Sequence, residues 1–374
     1  MELSSEDQLR LNVLLANNID AVRIDEQKMT LYALSGEEEA TVKLNPNCRS
    51  ERYLRGVREL LSGHVLGSPG GYPIFLKRWT RMGQMRNANL AGLLRLGEPE
   101  AVVAVAGAPG LDDELARRAW WASPTSDTAR CMLANKTVIQ GPMGKILAEH
   151  LVEHLPFETE PLIIIESVRL ILQRGLINEV IRQKLWVRGK HKCAYHIGFL
   201  VATPDDLPEP APARHDLAEH ASALQQLETE GNVYARLLQQ VLDAQGQSFI
   251  AVAETVMRKP YDQDDVVALL NAIENYFSCV SSGNNKDQDI QNIINETCAE
   301  CDTAKDEALA TLLQAVPSLQ SEIRAMMVLA RSGEAIVTPV FSRTTAIGTL
   351  MRKKLEPVTT RLFEQFAILQ GKAC

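Results

Sequence analysis

The residues best suited to chemistry in the N-terminal half are a glycine-rich loop and the cations that follow it. Three glycines and two prolines fall within residues 67–73. Glycine lets a backbone approach a phosphate or carboxylate closely, and cations beside an aromatic ring supply the charge and stacking surface that RNA and phosphate ligands use. The candidate anion- or partner-binding residues are Gly67, Gly70, Gly71, Lys77, Arg78, Trp79, Arg81 and Arg86.

A structural explanation of this segment stays open. No strand precedes the glycines and no Gly-Lys-Ser/Thr follows them, so the loop is not a P-loop. A sharp turn followed by a helix with solvated cations around a core Trp79 would give the same composition. If Trp79 begins a helix, Arg78 and Arg81 share a face, which would suit an anion site.

A second group of cations precedes a string of possible metal ligands. This secondary basic patch consists of Arg182, Lys184, Arg188, Lys190 and Lys192. His191, Cys193 and His196 interleave with it or follow it, but the cations would repel a metal ion and attract phosphate or an acidic partner. The sequence therefore predicts an exposed basic patch and no metal.

Two short motifs resemble known chemical sites. His150, Glu153 and His154 match the H-x-x-E-H string of inverzincin metalloproteases, although a third zinc ligand is missing from the pattern. Cys298 and Cys301 form a C-x-x-C pair inside an acidic helical stretch, where nearby carboxylates disfavour thiolates. We interpret both as structural, with thiol or sulfur handling by the cysteine pair as an alternative.

The elements that must position these residues form an α+β protein that is predominantly α-helical. Apolar and polar residues alternate in 21–25, 29–34 and 40–44, which predicts a small antiparallel sheet followed by short helices. The four prolines of 204–212 predict a semi-rigid linker. The predicted organisation is a mixed N-terminal domain (1–203), a Pro-rich linker (204–213) and a helical bundle (214–374).

Composition limits the class of protein. The chain of 374 residues has a net charge of −8, of which −7 falls after residue 213 (14 basic and 21 acidic residues), so the C-terminal half is a poor nucleic-acid binder. The start is acidic without an apolar signal region, and no apolar run reaches the ~20 residues of a membrane span. Seven scattered cysteines predict reduced thiols. We expect a soluble cytoplasmic protein.

Several segments resemble the DsrS proteins, which are soluble proteins of sulfur-oxidising bacteria encoded with the reverse dissimilatory sulfite reductase system. The resemblance covers mainly residues 1–210 and carries over no catalytic or ligand residue. It implies a cytoplasmic accessory role in oxidising stored sulfur without a prosthetic group. The segments that carry it are Leu11–Asn17, Tyr53–Leu61, His64–Pro73, Arg78–Gln84, Leu96–Val103, Glu114–Trp121 and Ile165–Leu170.

Three functions compete at this point. The first is a non-enzymatic accessory or regulatory protein of sulfur oxidation that acts through protein or RNA contacts. The second is an enzyme or small-ligand binder that uses the 67–73 loop with Arg78 and Arg81 as an anion site. The third is the thiol- or sulfur-handling protein. The sequence contains no G-x-S-x-G, Walker or Rossmann motif, so we favour a cofactor-free, non-enzymatic protein whose partner is another protein of sulfur metabolism, with RNA as the alternative and oligomerisation undecided.

Overall fold

The computed structural model describes residues 3–67, 87–281, 289–304 and 306–372, without the side chains of 87–89. The chain divides into two compact units. The first comprises Met1–Phe157 and Gln173–Ile177, and the second comprises Glu158–Leu172 and Asn178–Cys374. Residues 158–172 therefore belong to the second unit, although residues 173–177, which follow them, belong to the first.

The first unit combines one small sheet with short helices. Its strands are β1 (Ala21–Asp25), β2 (Thr30–Ser35) and β3 (Glu38–Lys43), in the order β1-β2-β3. Both pairings are antiparallel, with Ile24 opposite Leu31 and Leu31 opposite Val42. The helices are α1 (Ser5–Ala16), α2 (Ser50–Leu66), α3 (Asn87–Leu93), α4 (Pro99–Ala106), α5 (Asp113–Ala122), α6 (Ser126–Leu133), α7 (Lys136–Gln140) and α8 (Pro142–His154), with a 3₁₀ turn at Leu155–Phe157.

Side-chain alternation accounts for the position of the sheet. The inward residues Val22, Leu31 and Ala33 are buried against α1 and α2, as expected for strands with one apolar face. Gly36 turns the chain between β2 and β3 with φ +61°, a conformation that costs glycine little. The predicted small antiparallel sheet is confirmed at residues 21–43.

A buried carboxylate ties α1 to the loop after β3 and to α2. Asp7 is 0% exposed. Its Oδ2 accepts hydrogen bonds from the Asn45 amide at 2.7 Å and from the Tyr53 hydroxyl. Burial, followed by the bond to Asp7, raises the pKa of Tyr53. Asp7 thus satisfies the buried Tyr53 hydroxyl and the Asn45 amide, which come from segments that are distant in sequence.

The second unit is helical throughout its described residues, apart from turns and loops. Its helices are α9 (Pro161–Ile171), α10 (Glu179–Gly189), α11 (Ala194–Ala202), α12 (Leu217–Thr229), α13 (Val233–Leu242), α14 (Ala244–Arg258), α15 (Gln263–Phe277), α16 (Ile290–Thr303), α17 (Glu307–Ala315), α18 (Gln320–Leu329), α19 (Thr338–Phe341) and α20 (Gly348–Leu369). Short 3₁₀ turns lie at Ser278–Val280, Pro317–Leu319 and Glu334–Ile336. The prediction of a predominantly helical α+β protein is therefore confirmed.

Close packing of α9 on α11 positions one side of the candidate site. A Cβ added to Gly198 would lie 2.6 Å from the Val168 Cβ, so the two helices approach each other through a residue without a side chain. Ile164, Val168 and Phe199 are fully buried in this region. Both helices also contact α15, which makes this the packed interior of the unit.

A buried arginine connects the start of the C-terminal helices with their end. The Arg214 side chain is 7% exposed and donates to the Asp216 carboxylate, to Glu322 Oε1 at 2.9 Å and to the Ile368 carbonyl at 3.2 Å. The bond from Arg214 is the main cause of the lowered pKa of Asp216. The guanidinium therefore satisfies acceptors from α18 and α20 together with its own segment.

The proline-rich stretch 204–213 lies within the second unit and does not mark the division between units. Ion pairs hold it: Arg182 contacts Asp206 at 3.0 Å, and Lys190 contacts Glu209 at 2.7 Å. The Ala211 amide also donates to Ser248 Oγ at 2.7 Å. Proline limits the conformations of the segment, but these contacts fix it to α10 and α14.

Within the described residues, no helix is both long enough and apolar enough to cross a lipid bilayer.

Candidate functional site

A cavity of about 1060 Å³ opens in the second unit. Its wall brings together the start of α9, the end of α10, the start of α11, the end of α14 and the segment that leads into α15. Glu209 of the proline-rich stretch and Arg352 of α20 complete it. This volume lies at the upper end of the range for small-molecule sites, which are commonly about 300–1,000 Å³.

Positive charge dominates the cavity wall. The lining contains two carboxylates, Glu209 and Asp265, against five cations, which are Lys190, Lys192, Arg258, Lys259 and Arg352. Two of these cations have local carboxylate partners, because Lys190 contacts Glu209 and Arg258 contacts Glu254. The bond from Lys190 lowers the pKa of Glu209. In an otherwise acidic region, such a wall favours an anionic ligand.

Two cations are held in place and keep donors for a ligand. Arg352 Nη1 donates to the Pro260 carbonyl at 3.0 Å and Nη2 to Thr349 Oγ1 at 2.9 Å. A guanidinium has five N–H donors, so the remainder can bind an anion. Lys192 Nζ donates to the Glu158 carbonyl at 2.8 Å. Neither interaction neutralises the positive charge.

A thiol–carboxylate pair lies in the same wall. Cys193 Sγ is 3.0 Å from Asp265 Oδ2, which also accepts the Tyr261 amide at 3.0 Å. Burial, reinforced by the negative charge of Asp265, raises the pKa of Cys193 to about 12. Burial also raises the pKa of Asp265. The Cys193 thiol stays protonated at neutral pH and donates to the carboxylate, so it is a poor nucleophile.

His196 supports the wall and is not placed as a metal ligand. It is 8% exposed, and its Nε2–H donates to the Trp186 carbonyl at 3.1 Å. Its ring lies against the Trp186 ring at a centroid distance of 4.3 Å. Burial lowers the pKa of His196, which keeps the ring neutral. A Cβ on Gly189 would lie 2.0 Å from this ring, so the glycine makes room for the histidine.

The structure divides the secondary basic patch. Lys190 and Lys192 line the cavity, whereas Lys184 and Arg188 line a separate surface groove with Val180 and Val187. Arg182 is half-buried and contacts Glu179 at 3.3 Å besides Asp206. The patch is therefore not one exposed surface, because Arg182, Lys190 and Lys192 bond to neighbouring segments.

The predicted N-terminal surface falls almost entirely outside the described residues. Gly67 is described: it ends α2 in the left-handed conformation, with φ +66°. The other predicted residues lie outside the described ranges, namely Gly70, Gly71, Lys77, Arg78, Trp79, Arg81 and Arg86.

The two histidines of the metalloprotease-like string stack on each other in the first unit. The rings of His150 and His154 are 3.9 Å apart between centroids, and Trp120 packs on His150 edge-on at 4.8 Å. Burial and the neighbouring histidine lower the pKa of His150. No group of three or more His, Cys, Asp or Glu side chains suited to a metal occurs in the part of the chain that the structure describes.

The C-x-x-C pair lies within helix α16. Cys301 is buried, with its Sγ 3.6 Å from Met327 Sδ, and burial raises its pKa. Cys298 is partly exposed. Both residues lie in the body or last turns of the helix, away from the N-terminus that would stabilise a thiolate. This environment disfavours thiol redox chemistry.

Much of the cavity carries no sequence signal. The string His191, Cys193 and His196 marks one part of its wall, but Tyr261, Asp265 and Arg352 are far away in sequence and match no motif. A weak signal exists at 258–261, where two cations, a proline and a tyrosine occur in a row at the end of helix α14. Comparison of the chain with protein-family models, curated proteins and solved structures found no match.

Proposed function

We propose that this protein binds a small anionic molecule in the cavity of its second unit. The observation that carries the proposal is the wall of five cations and two carboxylates around about 1060 Å³. Anionic ligands are bound in proteins by fixed cations and backbone donors. Helix α11 also begins at the cavity with Ala194, so the positive end of its dipole adds to the field.

Binding of ethyl phosphate tests the proposal. The double variant Lys259→Gln with Arg352→Gln removes two cavity charges, while glutamine keeps a donor for the Pro260 carbonyl. A charged hydrogen bond contributes about 1.5–3 kcal/mol, so we expect roughly a hundredfold weaker affinity. Isothermal titration calorimetry at low ionic strength measures the change, because salt screens such attraction.

The matched control removes two charges of the same unit that lie outside the cavity wall. Lys184→Gln with Lys353→Gln gives the same net charge as the test variant. Its affinity for ethyl phosphate should stay within about threefold of the parent protein, an effect below 1 kcal/mol. Equal weakening in both double variants, or no binding by the parent protein, would rule out this cavity as the anion site.

We propose further that this binding serves cytoplasmic sulfur oxidation, in which the protein acts as an accessory or regulatory component. The support is the resemblance of residues 1–210 to the DsrS proteins. In the host cell, deletion of the gene should slow consumption of stored sulfur. The Lys184→Gln/Lys353→Gln control should restore the rate and the Lys259→Gln/Arg352→Gln variant should not. An unchanged rate after deletion would reject this role.

A further inference from the structure

One oxygen of the Asp265 carboxylate has no hydrogen-bond partner in the part of the chain that the structure describes. Asp265 is 2% exposed. Its Oδ2 accepts from the Cys193 thiol and the Tyr261 amide, both at 3.0 Å. Its Oδ1 is buried and makes no hydrogen bond with the residues that the structure describes. Buried polar atoms are rarely left unsatisfied, and Asp265 lines the cavity, so a ligand bound there can supply the missing donor.

Among the described residues, no cation forms an ion pair with Asp265. The groups that most affect its carboxyl are the Cys193 thiol, the Tyr261 amide and the carboxylate of Asp262. A buried carboxylate without a counter-charge is unfavourable. A protonated amine would supply both the missing donor and the missing charge, whereas a neutral hydroxyl would supply only the donor.

The anion-binding and carboxylate groups are attached to the same peptide group. Arg352 Nη1 contacts the Pro260 carbonyl at 3.0 Å, and Asp265 Oδ2 contacts the Tyr261 amide at 3.0 Å. These two backbone atoms belong to one peptide bond. From standard peptide dimensions, the guanidinium and either carboxylate oxygen are no more than about 10 Å apart. Within that bound, hydrogen bonds of about 2.8–2.9 Å at each end leave at most about 4 Å between the ligand's amine and its acidic oxygen, which one or two carbons can span.

We propose that the ligand of this cavity is a small molecule that carries both an acidic group and a protonated amine. Its acidic group binds Arg352 and the neighbouring cations, and its ammonium donates to Asp265 Oδ1. Asp265 is thus a specificity-determining residue. This inference rests on the proposed function, because it takes the cavity as the anion site and adds the amine to the ligand.

A matched pair of ligands tests the inference separately from the proposed function. Ethyl phosphate and 2-aminoethyl phosphate share the phosphate and differ in the amine. We expect the parent protein to bind 2-aminoethyl phosphate roughly tenfold to a hundredfold more tightly, as for one charged hydrogen bond. Asp265→Asn retains an oxygen for the Tyr261 amide but offers no charge. It should lose this preference while its affinity for ethyl phosphate changes little.

Glu209→Gln is the control variant, because it removes the other carboxylate of the cavity wall. It should keep the preference for the amine. Loss of the preference in Glu209→Gln but not in Asp265→Asn would reject the assignment of Asp265. If Asp265→Asn does not fold, the parent protein alone decides. The inference is overturned if ethyl phosphate and 2-aminoethyl phosphate bind with equal affinity, or if 2-hydroxyethyl phosphate binds more tightly than 2-aminoethyl phosphate. In both cases the cavity is still an anion site. If neither phosphate binds, the proposed function is overturned as well.

Discussion

Replacing Arg214 by alanine should destabilise the second unit by about 3–5 kcal/mol, the range for removing one partner of a buried ion pair. The side chain is 7% exposed, and that of its partner Glu322 is 9% exposed. The substitution leaves the Glu322 charge without its cation in the interior. It also removes one of two donors to the Ile368 carbonyl near the end of α20, which keeps its bond from the Gly371 amide at 3.0 Å. The loss of stability therefore includes the cost of an unpaired Glu322 carboxylate in the interior as well as the lost attraction between the two charges.

Urea denaturation followed by circular dichroism measures this effect. Arg361→Ala is the control, since Arg361 contacts Glu364 at 3.1 Å on an exposed face of α20. Exposed pairs contribute about 0–1 kcal/mol. A loss below 1 kcal/mol for Arg214→Ala would show that the buried pair does not hold the C-terminal helices together.

In the first unit, replacing Asp7 by alanine should cost about 3 kcal/mol, because the buried Tyr53 hydroxyl and the Asn45 amide lose a charged acceptor. The Asn45 amide would be left without this bond, while the Tyr53 hydroxyl would keep only its 3.2 Å contact with Ser4 Oγ. The sheet and α2 should then open more often than the rest of the unit, since Asp7 joins their flanking segments to α1.

Hydrogen exchange of the amides in residues 5–66 measures this opening. Glu6→Ala provides the control, because Glu6 lies in the same first turn but pairs with Arg10 on an exposed face. Both changes remove a negative charge near the start of α1, so the comparison cancels the helix-dipole effect of about 0.3–1 kcal/mol. Equal exchange rates in the two variants would mean that Asp7 contributes no more than an exposed carboxylate.

Local sequence patterns predict whether a segment is a helix or a strand better than they predict its first and last residues. Alternation places the three strands to within a few residues, and Gly36 marks their second turn. Apolar residues recur at helical spacing from 216 to 244, yet this stretch forms two helices, α12 and α13, because Gly231 adopts φ +88° after the first of them. A proline such as Pro357 can kink a helix or divide it, and the structure shows a single helix α20 that continues through it. A proline-rich composition does not reveal the ion pairs that fix residues 204–213.

The candidate site is harder to predict than the fold, because its cations and its acceptor Asp265 come from separate helices. Lys190 and Lys192 belong to the basic patch recognised in the sequence, and both line the cavity. Asp265 reads as one of three acidic residues at the start of α15, of which Asp264 is exposed. Only the packing of α11 against α15 shows that Asp265 is the buried one. Burial of a single carboxylate depends on contacts distant in sequence, which local periodicity does not encode.

The order in which the second unit is assembled affects the chain during its synthesis. Helix α9 leaves the ribosome well before α15, one of the helices that cover its apolar face. At about 5–20 residues per second, the delay is on the order of 10 s. During that time the part of its apolar face that packs on α15 is available to chaperones or to other nascent chains. Slower elongation between α9 and α15 would prolong this exposure.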